Sequence, residues 1–317
     1  MEYILLLLGF VLLIKGADFA VSGGTGIAEH FRISPVIIGL TVIAFGTSLP
    51  EAAVSVAGSI SGQSGIAVGN VIGSNIFNLL MVGGLSAVVC PMVIDRALLK
   101  RDMPVSLLAV LIIVVLSGFA FIGGDDTFTI SRVGGILMLL FFSLFMLMLL
   151  WDATKNRLGD DEVSAEPKHG LPVNILITIG GLAAIVWGSD LVVDSATTIA
   201  YSFGMSETLV GLTIVSIGTS LPELVTSVVA AKKGSNEIAM GNIIGSNIFN
   251  LLLVLGLASA IAPVTVPTYL LVDALLLTVI TIMTMFFCRK DARLSRSEGA
   301  VFLGLYLLYF VYIFMRG

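Results

Sequence analysis

A block running from Ser34 to Pro91 recurs without a gap as Ser206 to Pro263, 172 residues downstream, and about half of the paired positions are identical. Both copies contain Gly-Thr-Ser-Leu-Pro-Glu, at Gly46 to Glu51 and Gly218 to Glu223. Each is followed by Gly-Asn-x-Ile-Gly-Ser-Asn-Ile-Phe-Asn, at Gly69 to Asn78 and Gly241 to Asn250. A duplication of this kind constrains the fold strongly, because what the first half builds the second half must build again.

The surroundings of the repeat are apolar. The 317-residue chain is 57 % hydrophobic and 12 % charged, with a mean hydropathy of +1.08. This is an all-α polytopic membrane protein, whose expected partner is the lipid bilayer and not nucleic acid. A net charge of −5 adds little about partners. Met-Glu-Tyr leads straight into apolar sequence with no basic flank, which predicts a first spanning helix and not a cleaved signal. Cys90 and Cys288 form no motif.

Ten runs of spanning length are expected, near 3–23, 35–60, 66–90, 104–122, 131–151, 171–198, 207–231, 238–262, 268–288 and 298–315. They divide into an N-terminal five-helix half, 1–151, a polar linker, 152–170, and a C-terminal five-helix half, 171–317. Of 16 Lys and Arg, 13 fall in the loops after odd-numbered runs, whereas Arg132 and Arg316 fall on the other side and Lys15 inside the first run. The positive-inside rule then places the linker in the cytoplasm and both termini outside. Five is an odd number, so the second half must enter the bilayer upside down. The prediction is two inverted repeats with their motifs meeting near the midplane.

Two glutamates in hydrocarbon are costly, and such residues mark function by default. Thr47 and Ser48 precede Glu51 by four and three residues, so hydroxyls and carboxylate share a helix face, as do Thr219, Ser220 and Glu223. Pro50 and Pro222 lack an N–H and free the carbonyls of Gly46 and Gly218, which a cation can satisfy. Asn70, Ser74 and Asn78 recur every four residues to form a second wall, matched by Asn242, Ser246 and Asn250. This all-oxygen donor set suits Ca²⁺ or Na⁺, and the lack of accompanying His or Cys argues against transition metals. For Asn70, Asn75, Asn242 and Asn247, interhelical hydrogen bonding stands beside a site role. The Gly69/Gly73 and Gly241/Gly245 pairs read as packing. Lys15 reads as an intrahelical partner of Asp18 or as a snorkelling side chain, and Asp18 and its repeat partner Asp190 as near the membrane edge.

The paired motifs resemble the repeats of the cation/Ca²⁺ exchanger superfamily, with the prokaryotic Na⁺/Ca²⁺ exchangers most similar. The resemblance spans nearly the whole chain and implies the fold of that family: ten helices in two inverted halves. It implies that Glu51 and Glu223 bind cation through carboxylates and Thr47 and Thr219 through carbonyls. Ser48, Ser74, Ser220 and Ser246 would contribute hydroxyls, Ala44 and Ser216 backbone oxygens at outer Na⁺ positions, and Asn78 and Asn250 the rest of the central plane. It also implies that the first and sixth helices slide as a gating pair near Gly16 to Asp18 and Gly188 to Asp190. Members of the family often carry aspartate at the position of Asn78 or Asn250, whereas this chain offers only two carboxylates. One Ca²⁺ or two Na⁺ would balance them, and a third Na⁺ would leave a net charge worth about 2.3 kcal/mol per 100 mV.

The function expected is a Ca²⁺/Na⁺ antiporter of the plasma (cell inner) membrane, with Ca²⁺ and Na⁺ as transported ions, no cofactor, and a site complete within one monomer. A cation/H⁺ antiporter of the same superfamily is the alternative, since a midplane glutamate also carries protons. A channel usually draws its ring of ligands from several subunits. An enzyme is not expected: His30 and His169 fall in loops, away from any nucleophile.

Overall fold

The computed structural model describes residues 1–123, 127–155, 169–205, 216–267 and 270–316. Helix α1 spans Glu2–Phe31, α2 Pro35–Thr47, α3 Leu49–Ile60 and α4 Ser64–Val89. After strand β1, Met92–Val93, come α5, Met103–Gly123, strand β2, Thr127–Ile130, and α6, Arg132–Lys155. The second half has α7, Leu171–Ser202, the short turn α8, Ser216–Gly218, then α9, Leu221–Lys232, and α10, Asn236–Ile261. It closes with β3, Val264–Pro267, α11, Leu270–Asp291, β4, Arg293–Leu294, and α12, Arg296–Arg316.

Among the described residues, seven helices are long and apolar enough to cross a membrane, eight if α2 and α3 form one bent span. The run expected at 207–231 lies partly outside the described residues and is represented within them by α8 and α9; most of the linker lies outside them too. Helix α6 continues to Lys155, three residues beyond Asp152 where the linker was expected to begin.

Polarity is arranged inside out, as a bilayer requires. Large apolar side chains such as Ile4, Leu7, Leu140, Leu147, Leu308 and Phe314 face outward, while Glu51, Glu223 and Asn78 are fully buried. The most apolar 18-residue stretch of α4 is 78 % buried and that of α10 83 %, against 22 % in α6 and 17 % in α12. The helices carrying the asparagine motif therefore form the centre, with α6 and α12 at the rim.

Helices α1 and α7 are longer than expected, 30 and 32 residues where 21 and 28 were predicted. They pack closely along a glycine seam. A methyl group on Gly16 would lie 2.7 Å from the Gly181 carbonyl oxygen, and one on Gly188 would lie 2.8 Å from that of Gly9. Gly9 and Gly181 are repeat equivalents, as are Gly16 and Gly188, so each contact maps onto the other when the halves are exchanged.

Four short strands were not foreseen. They form two antiparallel ribbons, β1 with β4 and β2 with β3, each taking one strand from either half. Alternation buries Met92 opposite Leu294 and Ile130 opposite Val264. Helix α5 runs from β1 to β2 and packs on α11, which runs from β3 to β4. One ribbon therefore lies at each end of this antiparallel pair, about 30 Å apart by helix rise.

Candidate ion-binding site

Proline explains the local shape of the site. Because Pro50 cannot donate to the turn before it, the second run breaks at Ser48 (φ −84°, ψ 6°), and α3 leaves α2 at 50°. Ser220 adopts nearly the same conformation (φ −93°, ψ 5°) ahead of Pro222. Glu51 and Glu223 thus sit in the first turns of α3 and α9, where the unpaired N–H groups of a helix start favour a carboxylate. Asn78 opens a wider π-helical turn, Asn78–Val82, within α4, and Asn250 lies in its counterpart, Phe249–Val254, within α10. Such turns are frequent at functional sites.

The halves cross-link here. Ser48 Oγ donates to Glu223 Oε1 at 3.0 Å, and Ser220 Oγ donates to Glu51 Oε1 at 2.8 Å. Ser246 Oγ adds a second donor to Glu223 Oε1 at 3.2 Å, and Ser220 also meets Ser74 at 3.1 Å. Thr47 Oγ1 donates to Asn242 Oδ1 at 3.1 Å and lies 3.5 Å from Ser246. Five other buried oxygens, Glu51 Oε2, Glu223 Oε2, Asn78 Oδ1, Asn250 Oδ1 and Thr219 Oγ1, have no hydrogen-bond partner. Four of them are pure acceptors, two equivalent pairs related by the repeat. Buried acceptors left unpaired are rare and expensive, and a cation is one partner that acceptors of this kind take.

The structure thus brings Glu223, Ser48, Ser246 and Thr47 into one buried hydrogen-bonded cluster and Glu51, Ser220 and Ser74 into another, with Thr219, Asn78 and Asn250 buried as well. The Ala44 carbonyl accepts from the Ser48 N–H at 3.0 Å and lies 3.4 Å from the Thr47 hydroxyl. Ser216 opens α8. The donors are oxygens throughout, and no cluster of three His, Cys, Asp or Glu occurs among the described residues, so the set suits a hard cation.

Two expectations are corrected. The Gly218 carbonyl, expected to be free for a cation, accepts from Ser189 Oγ of α7 at 2.9 Å. Asp18 pairs with Lys233 and not with Lys15: Lys233 Nζ lies 2.6 Å from Asp18 Oδ1 and 2.6 Å from Ser22 Oγ. A third holds in the second half only: a methyl group on Gly241 would lie 2.7 Å from the Val36 carbonyl oxygen, whereas one on Gly69 or Gly73 would meet no atom within 4 Å.

Asn70, Asn75, Asn242 and Asn247 make interhelical hydrogen bonds. Asn70 Nδ2 donates to Ser55 Oγ and Asn242 Nδ2 to Ser227 Oγ, both at 3.0 Å. The serines were missed, although Ser55 and Ser227 are identical in the two copies at the repeat spacing, and that identity was the available signal.

Comparison with known proteins agrees with this geometry. The family model described as sodium/calcium exchanger protein matches residues 1–151 and 173–315. The chain is 37 % identical to the inner membrane protein YrbG of Escherichia coli, covering 98 % of this chain and 96 % of that protein. It is 32 % identical to the sodium/calcium exchanger MaX1 of Methanosarcina acetivorans, covering 99 % and 98 %. A solved structure of the sodium-calcium exchanger NCX_Mj, soaked with Na⁺ and Sr²⁺, superposes with a TM-score of 0.83 at 32 % identity, covering 98 % of this chain and 97 % of the other. The duplicated motif, the acceptor-rich core between its copies and these matches along the full chain show that it belongs to the sodium/calcium exchanger family of membrane cation exchangers.

Proposed function

We propose that this chain exchanges Ca²⁺ for Na⁺ by alternating access, the two ions competing for one site between the repeats. Four buried, unpartnered acceptor oxygens carry this reading. Cation/H⁺ exchange uses the same carboxylates, and the driving ion separates the two readings. Glu51, Glu223, Asn78 and Asn250 would ligate the central ion with Ser48, Ser74, Ser220 and Ser246. Carbonyls of Thr47 and Thr219 would assist, and Ala44 and Ser216 would serve outer Na⁺ positions. Ten spans in two inverted halves, 1–151 and 171–317, joined by a cytoplasmic segment 152–170, fit the exchange of contacts along α1 and α7 and the shared ribbons. A monomer in the cell inner membrane suffices, since both halves of the site come from one chain.

In sealed proteoliposomes loaded with Na⁺, Li⁺, K⁺ or acid and diluted into ⁴⁵Ca²⁺ with the voltage clamped, an outward Na⁺ gradient should drive uptake. A pH gradient alone should not. Uptake driven by the pH gradient without Na⁺ would install the H⁺ antiporter instead. The slope of rate against clamped voltage then reports how many Na⁺ accompany each Ca²⁺.

Orientation has its own check. In a variant whose native Cys90 and Cys288 are replaced, Thr127→Cys should react with an impermeant maleimide added outside intact cells, whereas Asp160→Cys should react only after lysis. The reverse pattern would invert the assignment.

A further inference from the structure

Asn75 and Asn247 make no hydrogen bond to either carboxylate, yet their side chains cross-link α4 and α10. Asn75 Nδ2 donates to the Asn247 backbone carbonyl at 3.2 Å, and Asn247 Nδ2 donates to the Asn75 carbonyl at 3.4 Å. A backbone carbonyl only accepts, so each of these side chains must turn its NH₂ toward the opposite backbone and its Oδ1 the other way. Those two Oδ1 atoms are occupied: Asn247 Oδ1 accepts from Asn78 Nδ2 at 3.2 Å, and Asn75 Oδ1 from Asn250 Nδ2 at 3.1 Å. The choice of which end of Asn78 and Asn250 faces the ions is therefore dictated from outside the site. With their NH₂ groups held, Asn78 Oδ1 and Asn250 Oδ1 are left buried and unpartnered.

We propose that Asn75 and Asn247 are positioning residues: a ring of two amides, closed through two backbone carbonyls, that holds the NH₂ groups of Asn78 and Asn250 and so fixes their carbonyl ends toward the cation. The inference rests on the ion-site reading above and adds residues to it. It also explains why the central plane holds amides. A carboxylate at position 78 would set an acceptor against Asn247 Oδ1, and turning Asn247 over to meet it would set Oδ1 against the Asn75 carbonyl. The ring accepts a donor at 78 and at 250, and an ionised acid has none to give.

The test is a double-mutant cycle read as the apparent KM for Ca²⁺ in Na⁺-driven ⁴⁵Ca²⁺ uptake, using Asn247→Leu, Asn78→Leu and the pair, with Glu51→Gln as reference. Asn247→Leu alone should raise KM about ten- to a hundredfold, as loss of an outer-shell partner does at metal sites, with the maximal rate changed far less. The pair should be no worse than Asn78→Leu alone, because both changes remove the same aimed oxygen. A KM unchanged by Asn247→Leu, or effects that multiply in the pair, would overturn the proposal. Monodispersity and thermal unfolding verify that each variant folds. If Asn247→Leu does not, the mirror cycle of Asn75 with Asn250 decides in its place, and unfolding of both overturns a positioning role in favour of a structural one. Wild-type uptake by Glu51→Gln would defeat the ion-site reading itself, whereas a dead Glu51→Gln beside a multiplicative cycle would defeat only the ring.

Discussion

Replacing Glu51 by Gln is expected to lower Na⁺-driven ⁴⁵Ca²⁺ uptake by about a hundredfold or more, and Glu223→Gln to lower it by a similar factor. Among the described residues the two carboxylates are the only charged side chains in these clusters, and each is held by a serine of the opposite half. Gln keeps the shape but halves the charge that balances Ca²⁺ in a site without water-like screening. Folding should survive, since an amide also accepts the serine hydroxyl and the repulsion between two buried acids is gone. Flux close to wild type in both variants would refute the site, and a large effect in only one would refute its symmetry. Thermal unfolding in detergent separates lost transport from lost fold.

The second large effect belongs to the seam. Gly16→Leu should abolish transport, because its side chain would have to displace the backbone of α7 at Gly181 and not merely another side chain. Overpacking a close contact costs about 1–3 kcal/mol, and separating two helix backbones exceeds what one rotamer can relieve. Gly16→Ala should be intermediate. Gly180 is one residue from the seam and exposed, with no atom within 4 Å of an added methyl group, so Gly180→Leu serves as control. Wild-type flux in Gly16→Leu would show that α1 and α7 need not stay in close contact during the cycle. Equal loss in Gly180→Leu would point to membrane insertion as the cause.

The sequence made the site legible because the chemistry is duplicated. Two copies of Thr-Ser-Leu-Pro-Glu in hydrocarbon are too costly to be accidental, and the four-residue spacing of Asn70, Ser74 and Asn78 put them on one wall. The break at Ser48 follows from Pro50, although the angle does not. Spacing could not give the partners. That Ser48 serves Glu223 and not its own Glu51, or that Lys233 serves Asp18, depends on how distant helices meet. The hydroxyl of Ser189 on the Gly218 carbonyl is a further case, since its repeat equivalent is Ala17 and no duplication points to it. The strands were hidden for another reason. Met92–Val93 and Arg293–Leu294 are two residues each, too short for any alternation to register, and exist only because the other half supplies the pairing edge.

Those ribbons divide the molecule mechanically. Stapled together at both ends of α5 and α11, the two halves of the core make a closed frame that resists shear, whereas α1 and α7 contribute to neither staple. Their polar ties to the frame include Lys233 at Asp18 and Ser189 at Gly218, both anchored on the second half. On the proposed alternating-access reading, the ligand cage would stay with the frame while α1 and α7 move against it. Selectivity is then a property of the frame and turnover a property of the moving pair, so the two should respond to different sets of substitutions.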